Sequence, residues 1–261
     1  SSWGYSTAHL FAISSELGGY GGLRRFIEAA HGVGLEVYMD VVYNHASART
    51  LLYDRQNQCE ADGNNDLNVS SLPPATYCPA NIFKEKVPCM FGDYFYNNED
   101  QTTPWGPRFN YSSDQVVSYL MFNVQYWVEE LGIDGLRFDA TICTRKSRGS
   151  NSECWQPDAI PNEDGANFLR ESTEYLSRMN RFSIAEDMQN DPLVTSTSES
   201  GLGFDAQWGN DLFLVFREAM RSKDRKSVMG VLDEIERRCD PKNGEWISYT
   251  ETHDVASSQL D

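Results

Sequence analysis

Four polar clusters in this sequence each close an apolar run: Asp40 to His45 (DVVYNH), Arg137 to Asp139 (RFD), Glu186 with Asp187, and Glu251 to Asp254 (ETHD). A lone acid after a strand is ordinarily a helix cap or a turn residue. Four such clusters in succession suit a (β/α) barrel, whose strands converge on one mouth at their C-terminal ends. Asp139, Glu186 and Asp254 would then share a cleft. Grouped carboxylates can cleave a glycosidic bond, one attacking or stabilising the anomeric carbon and another protonating the leaving oxygen. Arg137 stands two residues before Asp139, so on a strand both point to the same face, and its fixed charge is expected to keep Asp139 ionised. His45 and His253 fall inside the clusters and can donate hydrogen bonds to sugar hydroxyls.

The elements that must position these residues alternate in type. Tyr20 to Gly34 has helical spacing (Leu23, Phe26, Ile27, Ala30) and ends on glycine, and Leu35 to Val42 then reads as a strand covered on both faces. The pairing recurs: helices at Gln115 to Leu131, Ala166 to Met179 and Ser227 to Arg238 precede strands at Gly135 to Ala140, Phe182 to Ala185 and Trp246 to Thr250. Phe204 to Trp208 and Leu212 to Met220 supply one further strand and helix. Periodicity fails between Ala46 and Asp114, a stretch rich in Asn, Gly, Pro and Tyr that is too long for a simple connection. The expected organisation is an α/β barrel domain over residues 1–45 and 115–261, with residues 46–114 inserted as an irregular subdomain.

Composition narrows the partners. With 22 Lys and Arg against 39 Asp and Glu, the chain carries a formal net charge of −17, which repels nucleic acid and anionic membrane surfaces. The most apolar stretch, Val116 to Val128, is interrupted by Ser118, Asn123 and Gln125 and is too short to cross a bilayer as a helix. No basic and apolar leader opens the sequence, so any targeting peptide is absent or removed. Six Cys, with the sequons Asn68-Val-Ser and Asn110-Tyr-Ser, favour an oxidising secretory route over the cytoplasmic or plastid alternative.

The four clusters, as DVVYNH, GLRFDAT, IAED and YTETHD, resemble the four signature regions of the α-amylase superfamily, glycoside hydrolase family 13, in that family's order. The resemblance implies a (β/α)8 TIM barrel with an insertion after strand 3, Asp139 as nucleophile, Glu186 as general acid/base and Asp254 as transition-state stabiliser. It further implies Arg137 as partner of the nucleophile, with His45, His253 and the Tyr5 of Trp3-Gly4-Tyr5 as contacts of the sugar, Tyr5 by stacking. The stretches TPWGPRFNYSS, AEDMQNDP and GFDAQWGND resemble the group holding branching enzymes and maltooligosyltrehalose trehalohydrolases, and Glu251 before the terminal pair favours branching. The implied partner is an α-glucan or maltooligosaccharide; the alternatives are a hydrolase of the amylase or trehalohydrolase type and a non-catalytic glucan-binding relative. No metal or other cofactor is assigned, although Asn44 matches a position that helps hold calcium in true α-amylases, so a calcium ion bound with oxygens of the insertion stays the alternative.

Two expectations concern assembly. Cys143 follows a strand and lies at the mouth close to Cys154, so the short loop between them makes this the expected pair, with two of Cys59, Cys78 and Cys89 joined in the insertion and Cys239 at the opposite face. In the family's order the visible strands are the third to the seventh, so an incomplete barrel of five consecutive parallel strands is expected.

Overall fold

A computed structural model describes residues 3–47, 50, 66–67, 87–88, 94–96, 102–148, 153–222, 224–239, 245–249 and 252–253. Five parallel strands form one sheet: β1 (Tyr38–Val41), β2 (Gly135–Phe138), β3 (Phe182–Ala185), β4 (Ala206–Gly209) and β5 (Trp246–Ser248). Their order across the sheet is their order along the chain, without the reversal of a doubly wound sheet. This is the winding of a partial (β/α) barrel, and the five strands match the expected count and positions. The main helices are α1 (Gly19–Gly32), α2 (Asp114–Gln125, continued by a π turn over Tyr126–Glu130), α3 (Glu163–Arg178), α4 (Asn210–Ser222) and α5 (Arg225–Arg238).

Helix faces follow the apolar spacing. In α2, Val116, Leu120 and Val124 recur every four residues and are buried, and in α3 Phe168 and Leu169, with Tyr175 and Leu176 two helical turns further along the same face, are buried too. Asn162 caps α3 by accepting a hydrogen bond from the Gly165 amide at 3.0 Å. Asn123, a polar interruption in α2, is buried because all its groups are satisfied. Its Oδ1 accepts from the Tyr43 hydroxyl (2.8 Å) and the Trp127 indole (3.0 Å), and its Nδ2 donates to the Leu10 carbonyl (2.9 Å).

β2 is buried along its whole length, and at Gly135 a β-carbon would collide with the Tyr38 ring and the Phe182 carbonyl, so only glycine lets three strands close together here. The reading of Leu35 to Val42 as a strand covered on both faces is corrected. β1 has four residues, Tyr38 and Asp40 are exposed and only Val41 is buried. Among the described residues β1 has a strand on one side only, so its apolar character is not matched by cover. Part of the insertion also joins the barrel core: Phe95 and Phe109 form an antiparallel bridge, and both are buried with Tyr111 in the main apolar cluster. The Tyr111 hydroxyl donates to the Tyr43 carbonyl at 2.7 Å. Asn68, Cys59, Cys78 and Cys89 lie outside the described residues.

At the end opposite the polar clusters, Asp134 gathers three elements. Its carboxylate accepts from the Val37 amide before β1 (2.7 Å), meets His31 of α1 (2.7 Å) and lies 3.5 Å from Arg181 ahead of β3. Partial burial alone would raise its pKa, but the Val37 amide, His31 and Arg181 outweigh this and hold it below the usual carboxylate range. The folded pKa is thus depressed, so the stabilisation is complete above the unfolded-state pKa of about 3.9 and disappears as pH falls through the lower folded value. Asp134→Asn is expected to cost roughly 1 to 3 kcal/mol at pH 7 and distinctly less near pH 3. Urea unfolding of both proteins at the two pH values checks this, and an equal cost at both would contradict it.

Candidate active site

The clusters meet where the strands end. Asp40 and Arg137 are register partners on β1 and β2, and Asp139 and Glu186 each stand one residue beyond a strand. The ladder holds them past the strand ends: the Asp139 amide donates to the Val41 carbonyl (2.9 Å) and the Glu186 amide to the Phe138 carbonyl (3.0 Å). Backbone rather than side chain therefore sets where the two acids start.

Arg137 is the centre of the arrangement. Its Nη1 donates to Asp40 Oδ1 (2.7 Å) and Asp139 Oδ1 (3.0 Å), while Nη2 lies 2.7 Å from Glu186 Oε2 as an ion pair without hydrogen-bond alignment. The guanidinium also lies 4.3 Å above the Trp208 ring on β4. Burial would lower its pKa, but Glu186, Asp40 and Asp139 outweigh that and raise it, so it stays cationic. Glu186 Oε2 receives a further bond from the Ala140 amide (2.9 Å). Ala140 has φ of 40°, a left-handed conformation that is uncommon outside glycine.

Tyr5 donates its hydroxyl to Asp40 Oδ2 at 2.7 Å, and burial together with that bond pushes its pKa up, so the phenol stays protonated. His253 stacks on its ring, with centroids 5.2 Å apart and planes 12° apart. Asn44 donates to both the carbonyl and Oδ2 of Asp139 (2.8 and 2.9 Å), while its oxygen faces His45 Nδ1 at 2.5 Å. Its amide nitrogen is thus turned toward Asp139 and its oxygen toward His45. Burial lowers the pKa of His45 against the opposing pull of Asp139 and the Tyr5 backbone, which favours a neutral ring.

Tyr5, His45, Asp139, Glu186 and His253 line one cavity of about 650 Å³ whose walls include Trp3, Trp105 and Trp155. The structure brings together six of the seven residues expected from sequence, with Arg137 beneath the cavity; Asp254 lies outside the described residues. Four participants were not singled out for these roles: Asp40, Asn44, Arg145 and Trp208. Trp208 carried a signal in the two-residue periodicity of its strand, and Asp40 and Asn44 in belonging to the first cluster. Arg145 carried none, since its partner Asp187 is 42 residues away.

That partner pair anchors the loop behind Glu186. Arg145 grips the buried Asp187 with two bonds (Nε to Oδ2 2.8 Å, Nη2 to Oδ1 2.6 Å), and Thr141 donates to the same carboxylate at 3.0 Å. A third nitrogen reaches Asp191 at 3.1 Å. Burial acts to lower the Arg145 pKa, but Asp187 and Asp191 raise it. Nearby, Cys143 and Cys154 are buried with α-carbons 5.1 Å apart, the separation of a bonded pair, whereas Cys239 at the end of α5 is exposed.

The family model described as Alpha amylase, catalytic domain, matches residues 1–212. A malto-oligosyltrehalose trehalohydrolase of Saccharolobus solfataricus is 29% identical over 213 residues, covering 80% of this chain and 28% of that protein. A 1,4-alpha-glucan-branching enzyme of Felis catus is 27% identical over 268 residues, covering 98% of this chain and 34% of that protein. The chain thus spans about a third of the length of these curated relatives. The crystal structure of a noncanonic maltogenic alpha-amylase from Thermotoga neapolitana shares the fold, with a TM-score of 0.60 at 20% identity over 96% of this chain and 46% of that one.

Arg145→Ala should leave Asp187 buried and unpaired, with an expected cost of about 3 to 5 kcal/mol. Adding Asp187→Asn to that variant removes the stranded charge and should recover part of the loss. Denaturant midpoints of the two variants and the parent decide it, and a cost below about 0.5 kcal/mol for Arg145→Ala would show that the pair does not anchor the loop.

Proposed function

Since this chain belongs to the α-amylase catalytic-domain family, we propose that it is an α-glucan-active enzyme that cleaves α-1,4 glucosidic bonds with retention, most like a 1,4-α-glucan branching enzyme. The observation that carries this reading is the sharing of one guanidinium by Asp139 and Glu186 at the base of the aromatic cavity. Two carboxylates held by one planar cation suit the roughly 5 to 5.5 Å spacing of retaining enzymes better than the wider spacing that admits a water for inversion.

In this reading Asp139, beside Arg137, attacks the anomeric carbon while Glu186 donates its proton to the departing glycosidic oxygen. A glycosyl-enzyme ester forms. Glu186, now a carboxylate, takes the proton from the incoming hydroxyl as that oxygen displaces Asp139. A sugar 6-hydroxyl as acceptor yields a branch, and water yields hydrolysis. Tyr5, His45 and His253 contact the sugar being transferred, Asp254 stabilises the transition state, and no metal ion takes part. A secretory location goes with a Cys143–Cys154 disulfide and glycan on Asn110.

Product analysis on amylose tests the proposal. New α-1,6 branch points are expected; reducing sugar would make the chain a hydrolase, trehalose from a capped oligomer a trehalohydrolase, and glucan binding without turnover a non-catalytic relative. Asp139→Asn and Glu186→Gln should each lower turnover by roughly 10²- to 10⁴-fold in protein that still unfolds cooperatively. For the cysteines, Cys143 and Cys154 should resist alkylation in the protein denatured without reductant and become alkylatable on reduction, with a loss of roughly 2 to 4 kcal/mol in stability. Alkylation of either residue in the denatured, unreduced protein would count against the disulfide.

A further inference from the structure

The proposed chemistry leaves one buried charge without a use. Arg108 is 0% exposed and lines no part of the cavity that holds Asp139 and Glu186. Its Nη1 donates to the Ser147 hydroxyl at 2.9 Å, while Nε and Nη2 have no hydrogen-bond partner and no carboxylate forms an ion pair with it among the described residues. The ionisable groups that act on it are the phenols of Tyr96 and Tyr111. Burial raises the pKa of both, so neither supplies a negative charge at neutral pH. A guanidinium stripped of water is strongly unfavourable unless an anion stands at contact distance.

The two orphaned nitrogens are not scattered. Nε and Nη2 share one edge of the guanidinium, where their N–H bonds run parallel and can grip an anion side-on. Elsewhere in this chain that edge carries a carboxylate: Arg145 uses it on Asp187 (2.8 and 2.6 Å) and Arg237 on Glu234 (2.8 and 2.7 Å). Arg108 presents the same edge to no acid among the described residues. Backbone fixes it from both sides. The Arg108 carbonyl accepts from the Tyr96 amide at 3.1 Å, and the next residue, Phe109, bridges Phe95 inside the apolar core. Ser147 pairs with Ile160 in a short antiparallel ladder that leads to Asn162, the cap of α3. The guanidinium therefore sits where the insertion meets the segment between β2 and α3. Full burial restricts any companion to a few atoms, and a single cation calls for a single negative charge.

We propose that Arg108 holds one small monovalent anion, a halide or a formate-sized carboxylate, side-on between Nε and Nη2, and that this ion ties the insertion to the β2–α3 segment. With a net charge of −17 the surface offers anions little general attraction, so saturable binding reports a specific site. The test is urea unfolding of the full chain at constant ionic strength, with sodium chloride or sodium formate replacing sodium fluoride, whose tightly hydrated anion serves as the reference. The unfolding midpoint should rise and level off with the added anion, the unfolding constant falling about ten-fold when the anion exceeds its dissociation constant about ten-fold. Arg108→Met should show no such dependence. An effect of chloride alone assigns a halide, an effect of formate alone a carboxylate, and an effect of both a site that takes either. Equal midpoints in all three salts, or the same dependence in Arg108→Met, overturn the site and leave the glucan reading intact. Should Arg108→Met fail to fold, the folded parent decides: chlorine NMR line broadening or saturation transfer to formate is expected, and the absence of both overturns the site.

Discussion

A guanidinium that is only 6% exposed has lost nearly all its water, and the cost of that loss must be met by anions at contact distance. Arg137 meets this requirement with Asp40, Asp139 and Glu186, and with the ring of Trp208 on its face. These groups come from β1, from the residues just past β2 and β3, and from β4. Four neighbouring strands must therefore be in register before the charge can be buried. A one-residue slip of β1 against β2 would separate Asp40 from Arg137 and turn the strand's other face to the site. The sheet and the candidate active site are thus one energetic unit.

Around that centre, the loops are restrained by groups that never face the cavity. Arg145, Asp187, Asp191 and Thr141 tie the segment after β2 to the segment after β3. Glu186 consequently sits in a loop with ionic anchorage immediately behind it. Asn44 performs a similar task for Asp139, bonding its carbonyl and its carboxylate while orienting His45. The aromatic walls are held in the same manner, by a close backbone approach at Gly106 and by the buried cysteine cluster beneath Trp155. A cavity with fixed walls lets binding energy go into orienting a substrate instead of ordering the protein.

Much of the fold was legible because its signals are local. Alternating helical and strand periodicities marked the elements, and glycines and polar clusters marked their ends, so the strands were found close to their true positions. The exposure of β1 was not legible, since an apolar run reports what a strand can bury and not whether a neighbour is there to cover it. Nor was the role of Phe95, Phe109 and Tyr111: the irregular stretch around them has no period, yet their rings enter the barrel core across a long sequence separation.

The sequence by itself determined which residues carry charge, which strands end in acids and which two cysteines stand near each other beyond the second strand. Chain connectivity limits these to near neighbours. What only the tertiary structure decided is partnership across distance: that Asp40 and Glu186 share Arg137, that Arg145 seeks Asp187, and that Trp105 finds Trp155 beside the same cavity. Ion pairs and ring contacts act only over a few ångström, so they exist only after strand register and loop packing have brought remote segments together.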